Sequence, residues 1–422
     1  MSERVTVDSQ VSSPPQDAVA FEYPTPELVE CPFAFYKTLR DEAPVTRLAN
    51  GDYVVSRWED VTYAARHPEI YSNFVGPANP GFDDAYNAKS DTHETLTPWP
   101  LPYTDPPEHK LKRSLLLPVV GRDRLKSFEP MMRTLADELI DRFVDRGEVD
   151  FKAEFAMHFP PLVMLRVVGV PAEDEDRLRQ LLSVSQGAGF RHASPEQREL
   201  QATGKAKAGE YFRQAILDRA ESPRDDFITE LIQAKLARDG TLDINYLTAE
   251  VTNLYGAAYH NTVYMLSNTM VLLLQHPGEL ERVRADHSLL RTAIDEALRL
   301  ESPVQWLQRL TTQDTELAGT PIPAGSIVLL LWGSGNRDER QFEDPERFWV
   351  DRPRVAKEQL AFGNGTHLCV GAPLARLEGQ IAFEQLLTRL KNIRLSEKND
   401  FARITTVNHR APAAVHIEFE RA

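Results

Sequence analysis

The chain has 422 residues, 42% hydrophobic and 26% charged, which is the usage of a compactly folding protein and excludes a disordered tail protein, a collagen-like chain or a coiled-coil rod. With 63 acidic against 48 basic residues the net charge is −15, and a polyanion of that size repels phosphate backbones and anionic lipid headgroups, so neither nucleic acid nor a membrane is an expected partner. Two cysteines, Cys31 and Cys369, offer no disulfide framework, no CxxC pair and no zinc module, which suits a reducing compartment.

In chain order, residues 1–22 read as a flexible, polar, Pro-containing tail without the apolar run of a signal peptide. The segment PTPELVECPFAFYKTLRDEAP then predicts a helix across residues 24–44, followed by a strand at 52–57 and a helix at 58–66. Residues 72–104 carry Gly, Pro, Asn and aromatics without periodicity, longer than the roughly 12–15 residues of a plain loop, so a functional loop is expected there. From Pro106 to about Leu300 apolar residues recur three and four apart, and the pattern predicts a helical array. Residues 309–328 alternate around Gly and Pro turns like small antiparallel strands, helix returns over 372–391, and two β-rich runs flank His409. The apolar runs, such as residues 327–332, fall short of the roughly 18–20 residues that span a bilayer. The expectation is therefore one mainly α domain over 23–422 with small antiparallel sheets, cytoplasmic and unanchored.

Chemistry concentrates in AFGNGTHLCVGA, residues 361–372, where three glycines, a histidine and a cysteine precede an amphipathic helix. Glycines permit positive φ and close backbone approach, and the amides such a turn frees can point at an anionic sulfur. The helix start would add its positive end and lower the thiol pKa of Cys369. An inert buried thiol is the default for an arbitrary cysteine. Here the dinucleotide fingerprint lacks its third glycine, the phosphate loop lacks GK[ST], and zinc lacks further cysteines, which leaves a large cofactor taking one thiolate. A thiol hydrolase using Cys369 with His367 or His409 is a further reading, although the two-residue spacing of His367 and Cys369 suits a dyad poorly.

FGNGTHLCVG resembles the heme-binding loop F-G-x-G-x-H-x-C-x-G of the cytochrome P450 family, with every fixed position matched, and the likeness extends from about Pro24 to Glu420. The resemblance implies a single cytochrome P450-type domain holding heme b (iron protoporphyrin IX), with Cys369 as the iron ligand. Phe362, Gly363 and Gly371 would pack around the ring, and His367 would reach a propionate. TDPPEHKLKR resembles the segment whose His109 and Arg113 bind propionates; their i, i+4 spacing puts both on one helix face. Arg309 matches a third propionate contact. Glu296 and Arg299 match the family's ExxR pair, tied to an arginine of the later DPERF segment, here Arg347.

In the predicted long helix over 247–275, GAAYHNTV aligns with the family's A-G-x-[D/E]-T-T. Ala257 and Ala258 then fill the small positions, His260 replaces the acid and Asn261 the first threonine. A shift by one would keep Thr262 as the alcohol but set bulky Tyr259 against the heme. Proton delivery is general acid catalysis worth ~10²–10⁴ in rate, so His260, Asn261 and Thr262 are the candidate proton-route residues, with Asn261 ordering a water. Family position assigns substrate walls to Phe82, Tyr86, Trp99, Pro100, Phe190, Ala257, Ala258, Val304, Gln305, Trp306 and Val407. The implied activity is O2-dependent monooxygenation of an apolar small molecule, with electrons from a separate ferredoxin or flavodoxin and its reductase, docking near Lys110, Lys112 and Arg113. Peroxide use, or coupling, dealkylation or dehydration, is the alternative because the acid–alcohol pair is altered, and a heme sensor without turnover is a third reading.

Overall fold

The computed structural model describes residue 23 and residues 25–75, 100–183, 194–404, 406 and 408–422. The expected tail, 1–22, lies outside them. A helix of 32 residues, Ile244–Gln275, runs through the molecule; its start is one turn earlier than the apolar stripe suggests because the Asp243 side chain accepts the Tyr246 N–H at 3.0 Å and caps it. Pro277 follows its end and forbids continuation. Val251, Tyr255, Val263, Leu266 and Met270 of this helix pack with Met132 and Leu139 of Arg122–Asp141, Ile294 and Ala297 of Leu290–Leu300, and Ile381 and Leu386 of Ala372–Arg389 in one buried core. Such a helix, apolar on most sides, is stable only when neighbours surround it.

Two sequence expectations change. Residues 24–44 form two helices, Pro26–Glu30 and Phe33–Glu42, because Pro32 has no N–H with which to carry the ladder on. The sheets are also not wholly antiparallel. A five-stranded sheet runs in the order Val45–Arg47, Tyr53–Val55, Ile327–Leu330, Leu307–Thr311, Tyr71–Ser72, and the Tyr53–Val55 to Ile327–Leu330 pairing is parallel. The second β-rich run at the end of the chain becomes His416–Arg421, flanked by Glu148–Asp150 and Leu390–Leu395 in a three-stranded antiparallel sheet. Among the described residues the first run makes isolated bridges, Val304 with His409 and Arg403 with Pro412. No helix among the described residues is long and apolar enough to cross a membrane.

Candidate active site

The cysteine loop is a tight hairpin closed on itself. Cys369 N–H donates to Phe362 O at 2.9 Å and Gly363 N–H to Leu360 O at 2.8 Å. Gly365 has φ +70°, and a Cβ there would lie 2.6 Å from Ala65 O, so no other residue lets the loop lie against the Trp58–Arg66 helix. Arg66 Nε donates to Asn364 Oδ1 at 2.8 Å and pins that contact. Protein surrounds the Cys369 sulfur, yet the residue keeps accessible surface, which places it on an interior hollow rather than in a filled core. Burial pushes its thiol up; the Gly371 and Ala372 N–H groups and the Arg113 and Arg376 guanidiniums pull it down without prevailing. A sulfur with amides and cations already directed at it, yet not ionised by them, is suited to bind a metal cation, which deprotonates a coordinating thiol.

Beside the loop lies a basic cluster. His109 is buried on the Glu108–Leu116 helix with its ring 4.0 Å from that of His367. His109 Nδ1 and His367 Nε2 are buried without hydrogen-bond partners. Burial, with His367 and Arg113 nearby, pushes His109 down to about 4. Arg309 is buried and driven down to about 10 by that burial, and its one side-chain hydrogen bond among the described residues goes to Gln308 O at 2.7 Å. Arg113 is half-buried, makes no side-chain hydrogen bond among the described residues, and is lowered by burial. Asp105 is the acid this group shares, 3.8 Å from His367 Nε2. Two guanidiniums and two imidazoles with orphaned nitrogens around one carboxylate are short of anions, and two carboxylates next to a single thiolate would satisfy them. The donor set therefore fits a heme.

Support for the loop comes from buried charge. Glu296 and Arg299 are both fully buried and joined at 2.7 and 2.8 Å. The second arginine on Glu296 is Arg352, at 2.9 and 3.0 Å, and not Arg347 as the motif match implies. Arg347 offers its backbone carbonyl to Arg299 and Arg352, while its guanidinium stacks on Trp349. Asp295, next to Glu296, binds Arg376 at 2.7 Å, whose guanidinium lies 4.5 Å over the Phe362 ring. Neither Arg352 nor Arg376 is evident from the sequence; Arg376 lies in the first turns of the Ala372–Arg389 helix that follows the cysteine loop.

Midway along the long helix Tyr255, Tyr259, His260 and Thr262 are buried, whereas Ala257 is exposed and Leu254, Ala258 and Asn261 are half-buried. The spacing 254, 257, 258, 261 is one helix face, and it carries the small residues. Asn261 Nδ2 donates to Ala257 O at 3.0 Å, and its Oδ1 is buried without a partner. The other two proton-route candidates lie off that face. Thr262 hydrogen-bonds towards Glu378, a carboxyl whose burial holds it well above its ordinary value. His260 packs 4.1 Å from the Tyr259 ring and 6.0 Å from that of Tyr264; burial, then His409 and Lys152, push it down to about 3. It is a neutral imidazole at pH 7 and cannot stand in for a stored acid.

The walls need correction too. Gln305 is buried on the far side, where its Nε2 donates to Ser302 O at 2.7 Å and its Oε1 accepts from the Tyr36 hydroxyl at 3.4 Å. Trp306 packs with Tyr36, Leu39, Val54 and Leu329 in the core behind the sheet. Val304 is half-buried and bridged to His409. The exposed residue of this segment is Leu307, 44% accessible, on the strand face that two residues later carries Arg309; the period of two is the signal that would have found it. Lys112 is buried and bound to Glu108 at 2.8 Å, which leaves Lys110 as the exposed lysine of that helix. Phe82, Tyr86, Trp99, Phe190 and Val407 lie outside the described residues.

Comparison with known proteins gives the family. The family model described as Cytochrome P450 matches residues 207–405. Cytochrome P450 107B1 of Saccharopolyspora erythraea is 34% identical over 374 residues, covering 86% of this chain and 89% of its own. The steroid C26-monooxygenase of Mycobacterium tuberculosis is 32% identical, with 86% and 87% covered. The solved structure of cytochrome P450 CYP109Q5 from Chondromyces apiculatus superposes with a TM-score of 0.83 at 30% identity, covering 94% and 97%. A mainly helical fold with one cysteine sulfur in a glycine hairpin and a basic cluster beside it defines the class of heme-thiolate oxygenases. The chain belongs to the cytochrome P450 family, and it is accordingly a monooxygenase with a heme iron cofactor that uses dioxygen and a redox partner.

Proposed function

We propose that the protein hydroxylates a largely apolar small molecule in the cytoplasm, with heme b as its cofactor and electrons from a ferredoxin or flavodoxin served by its reductase. Two electrons and two protons accompany one dioxygen; one oxygen atom enters a C–H bond of the substrate and the other leaves as water. The observation that carries the reading is the Cys369 sulfur, cradled by the Gly371 and Ala372 N–H groups beside the anion-poor cluster of His109, Arg113, Arg309 and His367.

In this reading Cys369 ligates the iron, His109, Arg113, Arg309 and His367 hold the propionates, and Phe362, Gly363 and Gly371 leave room for the ring. When bound, the heme supplies dioxygen activation, and electron donation from the thiolate favours O–O cleavage. Ala257 and Ala258 keep the helix flat above the site, and Leu307 adds an apolar wall. Asn261, anchored on Ala257 O, presents its second amide hydrogen to a water and orients it for proton transfer. The steroid substrate in the name of the relative from Mycobacterium tuberculosis is an example of a mostly apolar molecule that carries few polar groups.

A second reading, oxidation driven by peroxide or a coupling, dealkylation or dehydration, is favoured by the neutral, buried His260 where the family carries an acid. One experiment separates them. A carbon monoxide difference spectrum tests the thiolate–heme pair, and product formation with surrogate redox proteins and NAD(P)H is compared with formation from hydrogen peroxide. Turnover with reductant supports hydroxylation; turnover with peroxide alone supports the second reading, and neither with any substrate class supports a sensor.

A further inference from the structure

Asp105 stands where three parts of the molecule meet, and the reading above gives it no task. Its Oδ2 accepts the Ser72 hydroxyl and its Oδ1 accepts the Asn73 N–H at 3.0 Å. Phe74 N–H donates on to Ser72 Oγ at 2.9 Å, and Asn73 Nδ2 reaches Pro102 O at 3.2 Å, so Ser72–Phe74 and residues 102–105 form one hydrogen-bonded unit. Ser72 is also on the edge strand, paired with Leu310 next to Arg309. Across from these contacts the same carboxylate is 3.8 Å from His367 Nε2 in the cysteine loop. Burial pushes its carboxyl up, but His367, the Ser72 hydroxyl and the Asn73 N–H outweigh burial and hold it below the ordinary carboxylate range. It is a fixed anion at neutral pH.

The placement is costly unless it does something. A cluster built to receive two carboxylates gains affinity from every positive group and loses some to every resident anion. A turn that needed only a cap could take it from Ser, Thr or Asn without a charge. A fixed negative charge next to a redox group, by contrast, opposes the arrival of an electron, and the surrounding low-polarity protein makes that opposition felt. The hydrogen bonds from Ser72 and Asn73 hold the charge in one place, 3.8 Å from the His367 ring nitrogen.

We propose that Asp105 is a positioning residue for the redox centre: the Ser72–Phe74 strand end fixes its carboxylate beside the propionate-binding imidazole of His367, and the charge held there lowers the reduction potential of the heme. The proposal rests on the assignment of His109, Arg113, Arg309 and His367 to the propionates. Ser72 tunes it, since a hydroxyl that donates to the carboxylate withdraws part of its charge.

Spectroelectrochemical titration of the heme-loaded protein tests this in three forms. Asp105→Asn keeps the size and loses the charge, and its midpoint potential moves positive, with a several-fold larger equilibrium constant for one-electron reduction. Ser72→Ala keeps the charge and loses a donor to it, and its midpoint potential moves by less and in the negative direction. A residue that merely held the fold would not produce shifts of opposite sign. An Asp105→Asn protein whose potential is unmoved or more negative overturns the proposal; where that variant does not retain heme, a Ser72→Ala potential that is unmoved or more positive does so. A wild-type chain without the thiolate-type carbon monoxide band would instead defeat the heme assignment on which the proposal rests, and the two failures are thus distinct.

Discussion

The two faces of the cofactor site are built differently. On the sulfur side each functional atom is held by something local: a hairpin closed by Cys369 N–H on Phe362 O, two amides on the sulfur, and His109 and Arg113 one turn apart on a short helix. On the opposite side the working face of the Ile244–Gln275 helix is defined by what it is not packed against, and its partners come from segments far away in the chain. Chemistry that recurs at fixed spacing is legible in one dimension. A cavity is not, because it is the space left when distant elements meet.

That contrast can be broken first at the sulfur. Cys369→Ala removes the proposed ligand, and the expected result is complete loss of the thiolate-type carbon monoxide spectrum and of reductant-supported turnover; a retained spectrum would refute the assignment of this face. Next is the buried ionic support. Glu296→Ala leaves Arg299 and Arg352 charged, buried and unpaired, which costs about 3–5 kcal/mol. Denaturant unfolding reads it, and a loss under about 1 kcal/mol would mean that water reaches these groups.

The opposite side predicts a pH dependence. His260 is held down to about 3 and His409 to about 4, both chiefly by burial, from an ordinary 6.5. Unfolded chains bind these protons first, so stability is full above pH 6.5 and falls as pH drops towards 4, by about 1.4 kcal/mol per pH unit for each histidine. Glu250 opposes this: burial raises it from 4.5 to about 7, so its contribution is full below pH 4.5 and is lost as pH rises towards 7. His260→Gln should flatten the acid limb of the unfolding curve relative to wild type; an unchanged slope would place His260 in contact with water. The smallest effect belongs to Asn261→Thr, where the shorter hydroxyl loses the second amide hydrogen. Product per NAD(P)H should fall by roughly two- to tenfold, well below the ~10²–10⁴ that general acid catalysis as a whole is worth. Unchanged coupling would remove Asn261 from the proton route.

Much of the fold was readable. The 3.6-residue periodicity located the helical array, Pro44 and Gly240 marked helix ends, and the FGNGTHLCVG loop carried the family likeness. The misreadings have physical causes. Pro32 splits a helix that composition alone runs together. Arg347 and Arg352 are both near Glu296 in the fold, and only packing selects which guanidinium turns inward. Trp306 precedes the strand of Arg309, and the pleat sends it behind the sheet and leaves Leu307 on the other face, while Gln305, ahead of the strand, is held by Ser302 O and the Tyr36 hydroxyl. Thr262 is one residue from Asn261, and the 100° step of a helix carries it to Glu378.

By itself the sequence determined the cofactor chemistry, because a thiolate among glycine amides, a pair of cations at i, i+4 and a carboxylate–arginine pair at i, i+3 are local arrangements that backbone geometry makes inevitable once the segments fold. The tertiary structure alone decided which neighbours those groups face: Asp105 between Ser72 and His367, Arg352 on Glu296, His260 shut away from the accessible face. Burial and charge depend on what the rest of the chain brings alongside, and that is information no single segment contains.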